Sequence, residues 1–213
     1  MMNPEMITVG KGHAARQIAV RHKRGKAPGI VWLGGYRSDM LGTKAEALDA
    51  WARERNHASC RHDYSGHGES GGEFMEGTIS RWLEESIAVF DRFCSEGNHV
   101  LVGSSMGGWV ALRMVQELAK RGESHRLKAL LLLAPAPDFT HELMKPEMSD
   151  DQKKQLEAQG YMEEVSEYSP DPNIFTKALF DDGDENRVMI SMIETGCPVH
   201  ILQGMQDPDV PYQ

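Results

Sequence analysis

Cysteine is scarce in this chain: only Cys60, Cys94 and Cys197 occur among its 213 residues. An odd number, widely spaced and set among apolar neighbours, argues against a disulfide framework or a metal site. Buried free thiols in a reducing compartment are expected instead. Long hydrophobic runs are also absent. The longest, ALLLLA at 129–134, falls far short of the ~20 residues that cross a bilayer, so no membrane span is expected. The opening MMNPEMITVGKGHAAR has no apolar core segment, which leads to the expectation of a cytoplasmic protein without a secretion signal. Positive charge is in deficit: 23 Lys and Arg face 32 Asp and Glu, a net charge of −9, which disfavours nucleic acid as a partner. The one basic cluster, RHKRGKAPG at 21–29, reads as a solvated turn between strands. No internal repeat or low-complexity tract is present.

What is present is a globular composition, 40% hydrophobic, and a length that suits a single domain over residues 1–213. Strand-like and helix-like stretches alternate. Short apolar runs at 17–22, 29–35, 57–64, 99–103, 127–137 and 197–204 read as strands, with 127–137 a central one by its length and apolarity. Between them, TKAEALDAWARERN reads as a helix opened by a Thr43/Glu46 capping box, with Leu48, Trp51 and Ala52 as its apolar face. TISRWLEESIAVFDRFCSEG places Ile79, Trp82, Leu83, Ser86, Phe90 and Phe93 on one helical stripe, with Gly97 as a stop. A third helix is expected over 106–120, closed by Gly122. This alternation predicts an α/β fold, a mostly parallel sheet with helices on both faces, and a site beyond the carboxyl ends of the strands. About 60 residues, 137–196, break the rhythm. They contain a helix with a Ser149/Gln152 capping box, a Pro-rich SPDPN and two further helical stretches, and they read as a helical cap inserted over the strand ends.

The chemistry-bearing stretch is HVLVGSSMGGWVAL at 99–112. Gly103-Ser104-Ser105-Met106-Gly107 fits G-x-S-x-G with Ser105 at its centre, between a buried strand and a helix, which is the setting of a nucleophile elbow. Glycines on both sides let strand and helix approach closely, while the central serine projects at a helix N-terminus where N–H groups can stabilise developing negative charge. Ser104 lies one residue early. An acyl-transfer serine needs an oxyanion hole: the Met106 N–H is one donor, and the loop WLGGYRSDM supplies the other, assigned by position to the Tyr36 N–H, although either neighbour could serve. It also needs an acid after a late strand. In HILQGMQDPDVPYQ, Asp207 is nearer the strand end and has Val210-Pro211 behind it at the customary spacing; Asp209 is its competitor.

Together these residues resemble the α/β-hydrolase superfamily. DYSGHGES at 63–70 adds to this, being similar to the D-x-x-G-x-G-x-S turn after the fourth strand of many such hydrolases, which makes His67 a loop residue rather than the catalytic base. Within the superfamily, GGYRSDMLGTKA, DYSGHGES, VGSSMGGW and GMQDPDVP are similar to the α/β-hydrolase-domain group that includes mitochondrial protein depalmitoylases and acyl-glucuronide esterases. The resemblance implies hydrolysis of carboxylic esters or thioesters, on small molecules or acyl-proteins, through an acyl-serine at Ser105 with Asp207 as acid and Tyr36 and Met106 as oxyanion donors. It implies no cofactor and no metal. The pattern departs at one place. The family's histidine follows the acid by a few tens of residues, whereas Gln213 stands six residues after Asp207, so the base and a C-terminal strand and helix are expected beyond this chain. The alternatives are a non-catalytic binding protein on the same fold, or peptidase or lactonase chemistry on the same triad.

Overall fold

The computed structural model describes residues 3–165 and 170–212. Its frame is a seven-stranded sheet in the order β1-β2-β4-β3-β5-β6-β9. The strands are β1 (Glu5–Val9), β2 (Arg16–Lys23), β3 (Lys26–Leu33), β4 (His57–His62), β5 (His99–Ser104), β6 (Leu127–Leu133) and β9 (Val199–Leu202). β1, β2 and β4 pair antiparallel, and β4, β3, β5, β6 and β9 run parallel. The apolar run at 127–133 is an interior strand, flanked by β5 and β9, as its length and apolarity predict, while β3 lies at the middle of the sheet. The basic stretch at 21–29 is mostly strand, not turn: it closes β2 and opens β3, leaving only Arg24 and Gly25 between them.

Alternation along the strands sends side chains to two apolar layers. Val31 and Leu33 of β3, with Leu101, Leu130 and Leu132, join the core under α2 (Ile79–Phe93) and α3 (Met106–Lys120). Trp32 and Val102 face the other way and meet Ala45 and Leu48 of α1 (Thr43–Glu54). α2 starts where the Thr78 hydroxyl accepts the Arg81 N–H at 3.2 Å, an N-cap. The expected Thr43/Glu46 box is not formed. Gly42 is the N-cap of α1, its carbonyl accepts the Glu46 N–H at 3.0 Å, and Thr43 is already helical. Trp51 is not part of the buried face either: it lies exposed, stacked on His57 with Arg55 above it. Cys60 and Cys94 are buried free thiols as expected, whereas Cys197 is half-buried.

The insertion is not wholly helical. Thr140–Met144 forms a π-turn that runs into α4 (Lys145–Glu147), and α5 (Asp150–Gln159) follows with the Ser149/Gln152 capping box in place. A two-stranded antiparallel hairpin then appears, β7 (Tyr161–Glu164) against β8 (Asn173–Thr176), before α6 (Lys177–Glu185). Residues 166–169 lie outside the described residues, so the Pro-rich SPDPN is described from Pro170 onward. The buried Asp138 clasps the insertion: its carboxylate accepts the Val188 N–H at 2.9 Å and the Met189 N–H at 2.8 Å, joining the segment's entry to its exit. Among the described residues no helix is long and apolar enough to cross a membrane.

Candidate active site

β5 and α3 meet at Ser105, whose backbone is held at φ 52°, ψ −121°. A left-handed non-glycine residue costs about 1–3 kcal/mol and persists only where its surroundings fix it. Here they do. The Ser105 N–H donates to the Leu133 carbonyl at 3.0 Å, and the Ser105 carbonyl accepts the Gly108 and Ala136 N–H groups at 2.8 and 3.1 Å. The flanking glycines are required by contact of the two backbones. A Cβ on Gly103 would stand 2.4 Å from the Gly107 oxygen, and one on Gly107 would stand 2.2 Å from the Leu33 oxygen. Ser104 is the last residue of β5, paired with Leu133 and buried, so only Ser105 occupies the bend.

The loop after β3 runs against the serine, close enough that a Cβ on Gly35 would lie 3.4 Å from the Ser105 Cβ. Tyr36 and Met106 line one cavity with Ser105, about 830 Å³ in volume, roofed by the insertion through Phe139, Leu143, Met148, Met162 and Phe175. Met106 is the first residue of α3, so its N–H belongs to the set that has no acceptor within the helix. The Tyr36 side chain is tied to the cap. Its ring stacks on Phe175 at 4.9 Å, and its hydroxyl donates to the Ile174 carbonyl. Burial pushes the Tyr36 phenol well above its ordinary value, so it is a neutral donor. Arg37 adds a second tie, from its guanidinium to the Pro172 carbonyl.

Asp207 sits in the turn after β9, half-buried. Its Oδ1 accepts the Asp209 and Val210 N–H groups at 3.1 and 3.0 Å, which explains the D-P-D-V pattern as an Asx-type turn. It lines a second cavity of about 1040 Å³ together with Ser104 and Ser105. The structure thus gathers Ser105, Tyr36 and Met106 around one cavity and Ser105 with Asp207 around the other. Asp209 borders both. Burial and then the Asp209 charge raise the Glu164 carboxyl on the cap hairpin.

No histidine among the described residues lines either cavity. His200 is exposed on β9, and His67 is buried in the turn after β4. That turn has a further purpose that the sequence pattern alone did not expose. The Asp63 carboxylate accepts the N–H groups of Met40 at 2.6 Å and Glu69 at 2.8 Å, and the Ser70 hydroxyl bridges the Asp63 carbonyl and the Ala19 N–H. Ser65 is fixed from α2, where the buried Glu85 accepts its N–H at 2.9 Å and is itself paired with the buried Arg16. The turn is therefore a scaffold for the loop at 34–42.

Residues 35–208 match the Hydrolase_4 family model, described as serine aminopeptidase, S33. The human mitochondrial palmitoyl-protein thioesterase ABHD10 is 33% identical over 196 residues, which are 92% of this chain. The chain spans 62% of the length of that relative. Among solved structures, a protein from Agrobacterium vitis S4 described as a hydrolase is 56% identical, with a TM-score of 0.95 over 98% of this chain and 81% of that one. The mouse α/β-hydrolase domain-containing protein 10 is 29% identical, with a TM-score of 0.80 over 97% of this chain and 80% of that one. With a serine elbow between a parallel strand and a helix, and a family match over residues 35–208, the chain belongs to the Hydrolase_4 family of α/β-hydrolases.

Proposed function

We propose that the protein is a serine esterase or thioesterase that forms an acyl-enzyme at Ser105, with Asp207 as the triad acid and the N–H groups of Tyr36 and Met106 as oxyanion donors. The observation that carries this reading is Ser105 itself, held in left-handed geometry between the two cavities. In the proposed reaction the Ser105 oxygen attacks the acyl carbon and its proton passes to an imidazole. The carbonyl oxygen gains charge against the two N–H groups, the alcohol or thiol departs with the proton, and water then releases the acid. We place the imidazole on a segment outside these 213 residues, beside β9, whose Ile201 and Leu202 are exposed. Asp207 would orient it and stabilise its charge.

The substrate side is read from the roof. Phe139, Phe175 and flexible Met148 and Met162 suit an apolar chain of medium to long length better than acetyl, in keeping with the palmitoyl-protein thioesterase among the relatives. A second reading, peptidase chemistry, is favoured by the carboxylates of Glu147, Glu164 and Asp209 at the same cavity, which suit a free amino group. Activity on p-nitrophenyl esters from acetyl to decanoyl, beside an aminoacyl anilide, separates the two. Rising kcat/KM with chain length is expected; a flat series with anilide cleavage would favour the second. Ser105→Ala should cost several orders of magnitude in kcat, and Ser104→Ala should retain activity. The reverse result would remove the assignment.

A further inference from the structure

We propose that His67, as the neutral Nδ1–H tautomer, is a positioning residue for the oxyanion loop, its Nε2 holding the Arg37 N–H so that the preceding peptide presents the Tyr36 N–H to Ser105. The role of that N–H rests on the acyl-serine reading above; the tautomer and its grip on the loop do not.

The two neighbours of the ring fix its state independently. The Arg37 N–H lies 3.1 Å from Nε2, and an amide can only donate, so Nε2 must be the unprotonated nitrogen. On the other side Nδ1 lies 3.1 Å from the Ser65 carbonyl, which can only accept, so Nδ1 must carry the hydrogen. Both nitrogens are thereby used within the scaffold, and the ring borders neither cavity, which removes His67 as the base. The ring is 5% exposed and packed against Tyr36, Tyr64, Phe74 and Trp82. Ser65 is in turn anchored by Glu85, so the acceptor side is rigid.

The held peptide needs holding. Arg37 is a non-glycine residue at φ 54°, a conformation that relaxes unless it is fixed. The side chains of Tyr36 and Arg37 are pulled toward the cap hairpin, and the His67 bond opposes that pull from the body of the molecule. Loss of about 1 Å in the position of an oxyanion donor costs up to about 100-fold in rate. Protonation of the ring would set an Nε2–H against the Arg37 N–H and break the bond. The charged and titratable groups around the ring are Arg37 and Asp39 of the loop, Tyr36, Tyr64 and, behind Ser65, Glu85. Burial most of all, then Arg37, opposes protonation, while the hydrogen bond to the Ser65 carbonyl and, less, Asp39 favour it.

Two measurements test this. In ¹⁵N NMR of this chain at neutral pH, His67 should show a protonated Nδ1 and a bare Nε2, and the Arg37 amide should shift as the ring titrates. An Nε2–H tautomer, or an Arg37 amide indifferent to the titration, overturns the proposal. In the protein as its source cell makes it, His67→Phe keeps a flat ring but no acceptor, and should slow fluorophosphonate labelling of Ser105 about 10- to 100-fold, lowering kcat with little change in KM. His67→Gln, which returns an acceptor near Nε2, should restore labelling to within about threefold. Equal rates in all three overturn the role in positioning while leaving the esterase reading intact. Absence of Ser105 labelling in the unsubstituted protein overturns that reading instead, and the NMR result then still decides whether the ring holds the loop. If His67→Phe does not fold, the tautomer and the Gln variant decide.

Discussion

At Gly107 the molecule leaves no room for a methyl group: the Leu33 and Gly34 carbonyl oxygens stand 2.2 and 2.5 Å from where a Cβ would be. Both are backbone atoms that cannot swing aside, so α3 would have to retreat from β3 and carry the elbow with it. Gly107→Ala is expected to cost about 3 kcal/mol or more and to abolish labelling of Ser105; urea denaturation and a fluorophosphonate probe check the two effects separately. A variant with wild-type stability would show that the helix can shift freely. This residue and Ser105 were legible in the sequence because the elbow is local, its meaning contained in five consecutive positions between an apolar run and a helical pattern. The turn that holds Asp207 was legible for a similar reason, since it is written in D-P-D-V. The tie between His67 and Arg37 was not. It joins positions 30 residues apart, and nothing in either segment specifies which backbone donor the imidazole meets.

Among elements, the cap is closed at its ends by a single side chain. Asp138, five residues after the end of β6, lies at φ 53° and is fully buried, and its carboxylate serves the N–H groups of Val188 and Met189 at the far end of the insertion. Asp138→Ala leaves both donors without that partner, and losses of about 1.5–3 kcal/mol per charged hydrogen bond set the scale. Amide exchange at Val188 and Met189 should accelerate before that of β5, because the cap can loosen without the sheet. Uniform acceleration across the chain would mean that cap and sheet unfold as one unit. The bounds of α3 were readable to the residue, with Gly107 and Gly108 admitting the close approach and Gly122 just past the end. The β7–β8 hairpin was not. Tyr161–Glu164 and Asn173–Thr176 are four residues each, without strong alternation, and they become strands by pairing with each other, while Tyr36 and Arg37 of the loop beneath bond the carbonyls of Ile174 and Pro172. The Thr43 box misled for the opposite reason: the local pattern was present, but Gly42 already occupied the cap.

For the whole molecule, alternation of strand and helix was enough to place the sheet and its two apolar layers. What it hid was β1, whose Glu5–Val9 carries two buried residues in the pattern eeBeB, and the extent to which polar groups are enclosed. Three histidines, His22, His62 and His67, have their imidazoles held below the ordinary value of 6.5 by burial, His62 to about 4. Each is neutral in the folded protein and free to protonate once unfolded. Between the folded and unfolded values the unfolded chain binds more protons, so folding free energy rises with pH there. The stabilisation is complete above about pH 6.5 and is lost as pH falls through that window. His62 alone should remove about 2 kcal/mol between pH 7.5 and pH 5, with its Nε2 3.2 Å from the Ser86 hydroxyl and its ring against Tyr64. Urea midpoints should therefore fall steadily from pH 7 to pH 5, and His62→Gln should flatten that slope even if it lowers stability at neutral pH. A slope unchanged in the variant would assign the acid sensitivity to other groups. The proposed release of Arg37 by His67 also lies on the acid side of the ordinary imidazole value, so loss of the oxyanion loop's anchor and loss of global stability are separable only at the residue level. The Arg37 amide reports the first, and the midpoint reports the second.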